Sequence, residues 1–173
     1  MKKLMTIALM MVAMTVSAQE MELNENGAYE RKEVVMIDGT SAATLYDRAM
    51  IALSDWTGSD GHSKAGIDYS ERDAGVVIYK GNYFIEKKSG VSVTADFTMK
   101  VRCKDGKAQI TVTISSLTAD APSIHRTKTR TIAQVVEGKK KNGQRYVSMI
   151  PDIVNTLRQA MSDKLKNSSD DDF

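Results

Sequence analysis

From Val91 to Cys103 apolar and polar residues alternate without a break. Val91, Val93, Ala95, Phe97, Met99, Val101 and Cys103 occupy one set of positions, and Ser92, Thr94, Asp96, Thr98, Lys100 and Arg102 occupy the other. The alternation resumes with Ala108, Ile110, Val112 and Ile114 against Gln109, Thr111, Thr113 and Ser115. A period of two sends successive side chains to opposite faces of a strand, so each arm predicts one buried and one wetted face. Asp105-Gly106 lies between the arms, a dipeptide favoured in a two-residue type I′ turn with positive φ at both central positions. Such a turn sets Lys104 opposite Lys107, Cys103 opposite Ala108, Val101 opposite Ile110, Met99 opposite Val112 and Phe97 opposite Ile114. The last four pairs are apolar on apolar, and a slip of one residue would wet the whole buried set.

The same reading places a first strand over Tyr29 to Ile37, centred on Val34 to Ile37 and ended by Asp38-Gly39. Thr40 or Ser41 is placed to cap a helix by accepting from an early amide. Leu45, Ala49, Ala52, Leu53 and Trp56 then recur at helical spacing from Ala42 to Trp56. Thr57 to Gly66 reads as a loop, Ile67 to Ser70 as a strand, and Val76 to Glu86 as a strand interrupted at Gly81-Asn82, where glycine predicts a bulge or bend. After Leu117, Ile124 to Glu137 reads either as an extra strand or as an irregular crossing, and Glu137 to Arg145 as a charged loop. A second helix is predicted over Ser148 to Lys166, with Ile150, Ile153, Val154, Leu157, Met161 and Leu165 on one face and Pro151 in its first turn. The order is β-α-β-β-β-β-α. It predicts a two-layer α+β domain, an antiparallel sheet with both helices on one face and the other face open to water.

The ends of the chain narrow this to residues 29–166. Lys2 and Lys3, the apolar run Leu4 to Val16 and the small residues Val16-Ser17-Ala18 form the pattern of a signal peptide cleaved after Ala18. Export to the periplasm or exterior is the expectation, with no lipid anchor, since no cysteine stands near the cleavage site. Residues 19–28 are expected to be loosely held, and the acidic tail 167–173 to fray. Without residues 1–18, 22 of the 24 basic residues remain against 22 acidic ones, so the mature chain is close to neutral. That balance gives no general attraction to nucleic acid or anionic membrane. One cysteine excludes an internal disulfide.

Leu45-Tyr46, Arg48-Ala49 and Trp56, then Ile67-x-Tyr69, then Asp73-Ala74-Gly75-Val76-Val77-x-x-Lys80-Gly81 resemble the DUF4468 family of exported bacterial proteins. The resemblance covers Tyr29 to Ser115 well and the last helix loosely. It implies a TATA-binding-protein-like (TBP-like) fold in the element order already reached from periodicity. It implies no activity, because the family carries no catalytic residues to transfer.

Chemistry-bearing residues are sparse. Cys103 with His62 or His125 would be needed for a thiol–imidazole pair, but the alternation buries Cys103 beside Ala108, where cysteine behaves as a small hydrophobe. Two distant histidines and no Cys-x-x-Cys leave no zinc spacing. Asp170-Asp171-Asp172 lacks the glycine and flanking ligands of a calcium loop. Gly58, Gly61, Gly66, Gly75 and Gly81 are followed by no Gly-Lys-Ser/Thr and form no phosphate loop. No metal, cofactor or catalytic residue is expected.

Two polar surfaces remain as candidate partner-binding sites. One is a basic tract, Arg126, Lys128, Arg130, Lys139, Lys140, Lys141 and Arg145, against the single acid Glu137. Its functional reading is an anion-binding edge, and its bland reading is an edge strand protected from sheet-to-sheet association. The other is the wetted face of the hairpin, with Thr98, Lys100, Arg102, Thr111 and Thr113. A minor-groove reader would need wedge-like aromatics and a basic face, so no nucleic acid is expected. The sequence therefore points to an exported binding domain whose partner is another envelope protein or an anionic glycan. The alternatives are a small-molecule carrier with a pocket lined by Met36, Met50, Met99 and Met161, or a hydrolase with unidentified residues.

Overall fold

The computed structural model describes residues 23–59 and 65–167. The elements run β1 (Tyr29–Met36), α1 (Ala42–Ser59), β2 (Gly66–Glu71), β3 (Val76–Lys88), β4 (Val91–Lys104), β5 (Lys107–Ala121), a 3-10 turn (Pro122–Ile124), β6 (Arg126–Thr131), α2 (Ile132–Glu137) and α3 (Lys141–Asn167). All strand pairs are antiparallel, in the order β1-β5-β4-β3-β2, with β6 also on β5. β1 pairs with Lys107 to Ile114 of β5 and β6 with Ser116 to Ala121. The two short strands therefore lie end to end along one side of the long one.

The five pairs that the hairpin pattern predicts are all present: Lys104–Lys107, Cys103–Ala108, Val101–Ile110, Met99–Val112 and Phe97–Ile114. The turn itself differs. Gly106 has φ +72°, while Asp105 stays at negative φ, the arrangement of a type II turn. Tertiary contacts account for this: the Asp105 carboxylate accepts from the Ala42 amide at 2.8 Å, and the Gly106 amide donates to the Thr40 carbonyl at 2.9 Å. The turn with positive φ at both centres is the one between β3 and β4, at Ser89 (+51°) and Gly90 (+78°). Past Phe97–Ile114 the register shifts, so Asp96 stands opposite Ser116 and Ser115 is left bulged. A bulge exchanges the faces of the residues beyond it. Leu117 accordingly returns to the buried side.

One face of the sheet, through Val77, Tyr79, Met99, Val101, Ile110 and Val112, packs against Leu45, Ala49 and Leu53 of α1 and Ile150, Val154, Met161 and Leu165 of α3. Ser41 caps α1 by accepting from the Thr44 amide at 3.1 Å, and α1 continues through Ser59. Arg31 donates to Asn155 at 2.7 Å and Arg158 pairs with Glu33, which aligns α3 along β1. Arg48 donates to the Leu165 carbonyl at 3.2 Å, near the last turn of α3 where carbonyls lack helical partners.

Further expectations are revised. Ile124 to Glu137 holds the extra strand over part of its length only: Arg126–Thr131 forms β6 on β5, and Thr131 then caps α2 with a reciprocal Thr131–Gln134 capping box. Glu137 to Arg145 is not a loop, because α3 begins at Lys141. Val147, buried, and Tyr146, partly buried against the core, extend the apolar stripe upstream, and the Gln144 amide donates to the Val136 carbonyl at 3.1 Å. Pro151 consequently stands in the helix interior, not in its first turn. Finally, β3 runs through Gly81-Asn82 unbroken, and its irregularity against β4 falls between Phe84 and Glu86.

Candidate functional site: the open sheet face

Residues opposite one another in antiparallel strands point to the same side. The side away from the helices therefore carries Asp96, Thr98, Lys100, Arg102 and Lys104 from β4, and Lys107, Gln109, Thr111 and Thr113 from β5. Beyond the bulge it carries Ser116, Thr118 and Asp120, with Thr127 and Thr129 of β6 beside them. Phe84, 48 % exposed, stands on this face opposite Thr94.

Asp96 organises one end. Its Oδ1 accepts from Asn82 Nδ2 at 2.6 Å, and its Oδ2 from Ser116 Oγ at 2.5 Å and Thr118 Oγ1 at 3.0 Å. A threonine hydroxyl has one proton. Because Thr118 gives its proton to Asp96, the 2.8 Å contact between Thr118 and Thr129 must be donated by Thr129. Thr127 likewise donates to Asp120 at 2.6 Å. The hydroxyl protons thus run inward to carboxylates, and oxygen lone pairs face outward. They border a depression of about 330 Å³ that Lys80, Asn82 and Thr98 also line. This end is suited to donor groups of a ligand, such as sugar hydroxyls or amides. The bulge creates it by bringing Ser116 opposite Asp96.

The hairpin end is different. A second depression of about 330 Å³ is lined by Val34, Ala74, Arg102, Cys103, Lys104, Lys107 and Gln109. Lys100 precedes Arg102 on the same face, and buried Thr111 stands in register between Lys32 on β1 and Lys100 on β4. About six residues at roughly 3.3 Å, or 20 Å, separate Asp96 from Arg102 along β4. The open face is thus polar and carboxylate-centred at one end and cationic at the other.

The predicted site residues divide between two surfaces. Thr98, Lys100, Arg102, Thr111 and Thr113 share the open face, where Thr113 donates to Glu30 at 3.2 Å. Arg126, Lys128 and Arg130 stand opposite Ala121, Ala119 and Leu117, which puts them on the helix side of β6. Lys139, Lys140 and Lys141 lie at the α2–α3 junction, and Arg145 is engaged with Glu86 at 2.9 Å and with the Tyr146 ring at 5.9 Å. The basic tract and the hydroxyl face do not form one site. Lys104, Lys107 and Gln109 extend the alternation already visible in the hairpin, whereas the roles of Ser116, Thr118 and Thr129 depend on the bulge.

Cys103 is buried and burial pushes its thiol up to about 11. It stands on β4 at the hairpin, opposite Ala108 near the start of β5, and His125 follows the far end of β5, roughly 40 Å along that strand at about 3.3 Å per residue. His62 and Asp170 to Asp172 lie outside the described residues, as does the predicted signal segment. Among the described residues no three His, Cys, Asp or Glu side chains gather as a metal site, and no helix is long and apolar enough to cross a membrane. Met99 and Met161 fill the core and Met50 packs against it, but Met36 is 55 % exposed on the open side of β1. The four methionines do not share one cavity.

An antiparallel sheet covered by helices on one face and bare on the other, here with a polar site on the bare face, defines a two-layer α+β protein of the TBP-like class. Residues 32–116 match the family described as a domain of unknown function (DUF4468) with TBP-like fold. A crystal structure of a TBP-like protein from Parabacteroides distasonis ATCC 8503 superposes with a TM-score of 0.64 at 14 % identity, covering 86 % of this chain and 99 % of the other. A DUF4468 family protein from Bacteroides ovatus ATCC 8483 superposes with a TM-score of 0.67 at 12 % identity, covering 89 % of this chain and 94 % of that one. At these identities the likeness is one of fold. Coverage of this extent includes helical elements beyond residue 116. No curated protein matches the chain.

Proposed function

We propose that this protein is an exported, non-enzymatic binding domain of the cell envelope that meets its partner through the open sheet face. The observation that carries the proposal is the Asp96 network beside the half-exposed Phe84 ring. Preset donors and acceptors fix orientation, and an aromatic anchor supplies apolar area. An envelope protein or a glycan offers the complementary amides or hydroxyls. The signal pattern at Val16-Ser17-Ala18 supports export.

Photo-crosslinking residues placed at Thr98 and Thr113, with exposed Thr156 of α3 as a control, test this in cells of the native host. A discrete adduct from the two sheet positions, weakened by Phe84→Ala, is the expected result. Equal labelling from Thr156, or none from the sheet, would overturn the binding face. Turnover that vanishes on Cys103→Ala would overturn the non-enzymatic reading. Mature protein that begins at Gln19 in the envelope fraction is the expected sign of export.

A further inference from the structure

We infer that the hairpin end of the open face, built by Arg102, Lys104, Lys107 and Gln109, is a binding site for a compact polyanion bearing phosphate or carboxylate groups. The inference deepens the binding reading above, on residues separate from the Asp96 network.

Lys104 and Lys107 stand directly opposite one another, and Lys100, Arg102 and Lys104 are successive residues on one face of β4. Like charges so placed repel and cost the folded state stability. Among the described residues none of Lys100, Arg102, Lys104 or Lys107 has an ion-pair partner, although Lys32, Lys80, Arg72, Arg145 and Arg158 each have one. The Asp105 carboxylate in the adjoining turn accepts from the Ala42 amide and forms no ion pair with these four side chains.

Edge protection explains the cations of β6, an outer strand whose free side would otherwise invite pairing. It does not explain β4, which is paired along both sides by β3 and β5. What the β4 and β5 cations do share is the second depression, of about 330 Å³, within the size range of small-ligand sites. Arg102 offers a planar fork for two oxygens of one anion, the lysines offer point charges, and Gln109 offers an amide donor. An anion bound there converts the repulsion into attraction, so it should stabilise the fold.

The test uses residues 19–173 in thermal unfolding and calorimetry, with sodium tripolyphosphate and citrate as probes against sodium chloride at matched ionic strength. Saturable stabilisation by either probe is expected. Tripolyphosphate alone would assign the site to phosphate, and citrate alone to carboxylate. R102Q/K107Q should weaken binding about tenfold or more, while R126Q/K128Q/R130Q on the other face changes it less than about threefold. Without anion, R102Q/K107Q should melt no lower than wild type, because it relieves repulsion. Absence of saturable stabilisation would overturn the inference, as would an equal loss in the β6 triple variant or a lower melting point for R102Q/K107Q. Cross-linking from Thr98 and Thr113 is read independently, so failure of the anion site and failure of the open face are distinguishable.

Discussion

Gly81 stands directly across β3–β4 from Phe97, and the Phe97 ring occupies the space a side chain at 81 would need. A Cβ there would lie 2.9 Å from Phe97 Cζ and 2.8 Å from Tyr79 Cε1. The two rings pack with centroids 5.9 Å apart, and Trp56 meets Tyr79 edge-on at 6.2 Å. Glycine is therefore a packing requirement of an aromatic cluster, and the strand stays continuous through it. Gly81→Ala should lower stability by about 1–3 kcal/mol, the usual cost of overpacking a core. Phe97→Leu should recover part of that loss, so a double-mutant cycle by urea unfolding should show coupling above roughly 0.5 kcal/mol. Strict additivity would show that the rings are not what excludes the methyl.

Glu86 ties the start of α3 to β3, accepting from the Tyr146 hydroxyl at 2.5 Å and from Arg145 at 2.9 Å. The Tyr146 hydrogen bond, with Arg145, holds the carboxyl below its ordinary 4.5. The same hydrogen bond, with burial, holds the phenol above its ordinary 10.0. A depressed carboxylate contributes stability above its unfolded pKa, which is lost as pH falls through the folded value. A raised phenol contributes stability below its unfolded pKa, which is lost as pH rises through the folded value. Tyr146→Phe removes the shared contact. The stability gap between wild type and Tyr146→Phe should therefore be widest between about pH 5 and pH 10 and narrow on both sides. Urea titrations across that range measure it, and a constant gap would contradict the pairing.

Cys103 is 4 % exposed, and its thiol is raised by burial to about 11. An exposed thiol has a pKa near 8.5, so at pH 8 Cys103 holds about two orders of magnitude less thiolate. Native protein should react with iodoacetamide at least about 100-fold more slowly than protein in urea. Its labelling should track unfolding. Fast native labelling would place the thiol in an accessible, activated setting.

The hairpin was legible because two independent signals agree: the turn position sets five pairs, and alternation makes four of them apolar. What escaped the pattern was decided elsewhere in space. The Asp105–Gly106 turn type depends on Ala42 and Thr40, more than sixty residues away in sequence. β6 carries only Arg, Thr and Lys, so an apolar period cannot reveal it; it is held by pairing with β5. Pro151 reads as a helix start because proline is free of cost there, yet the apolar stripe carries α3 back to Lys141. The two faces of the candidate site separate for a related reason. Alternation groups Lys100 and Arg102 with Thr111, but only the sheet order shows that Arg126, Lys128 and Arg130 turn to the other side.

The alternation of the return arm did not predict the bulge at Ser115, and its consequence is the Asp96 site. Asp96 accepts from Asn82, Ser116 and Thr118 on three neighbouring positions of two strands. Asp96→Asn keeps the shape but replaces one acceptor oxygen with a donor NH₂. Whichever way the amide turns, it meets at least one group that already donates. A half-buried, charge-assisted set broken in this way should cost about 1–3 kcal/mol. Asp120→Asn is the control, since Asp120 accepts from Thr127 at an exposed position, and should cost less than about 0.5 kcal/mol. Urea unfolding of both variants measures the difference. The same Asp96→Asn change should free the Thr118 proton and weaken the sheet-face adduct captured from Thr98, even in conditions where the fold is intact. Equal costs for the two variants, with the adduct unchanged, would mean that the Asp96 network neither anchors the sheet nor orients a ligand.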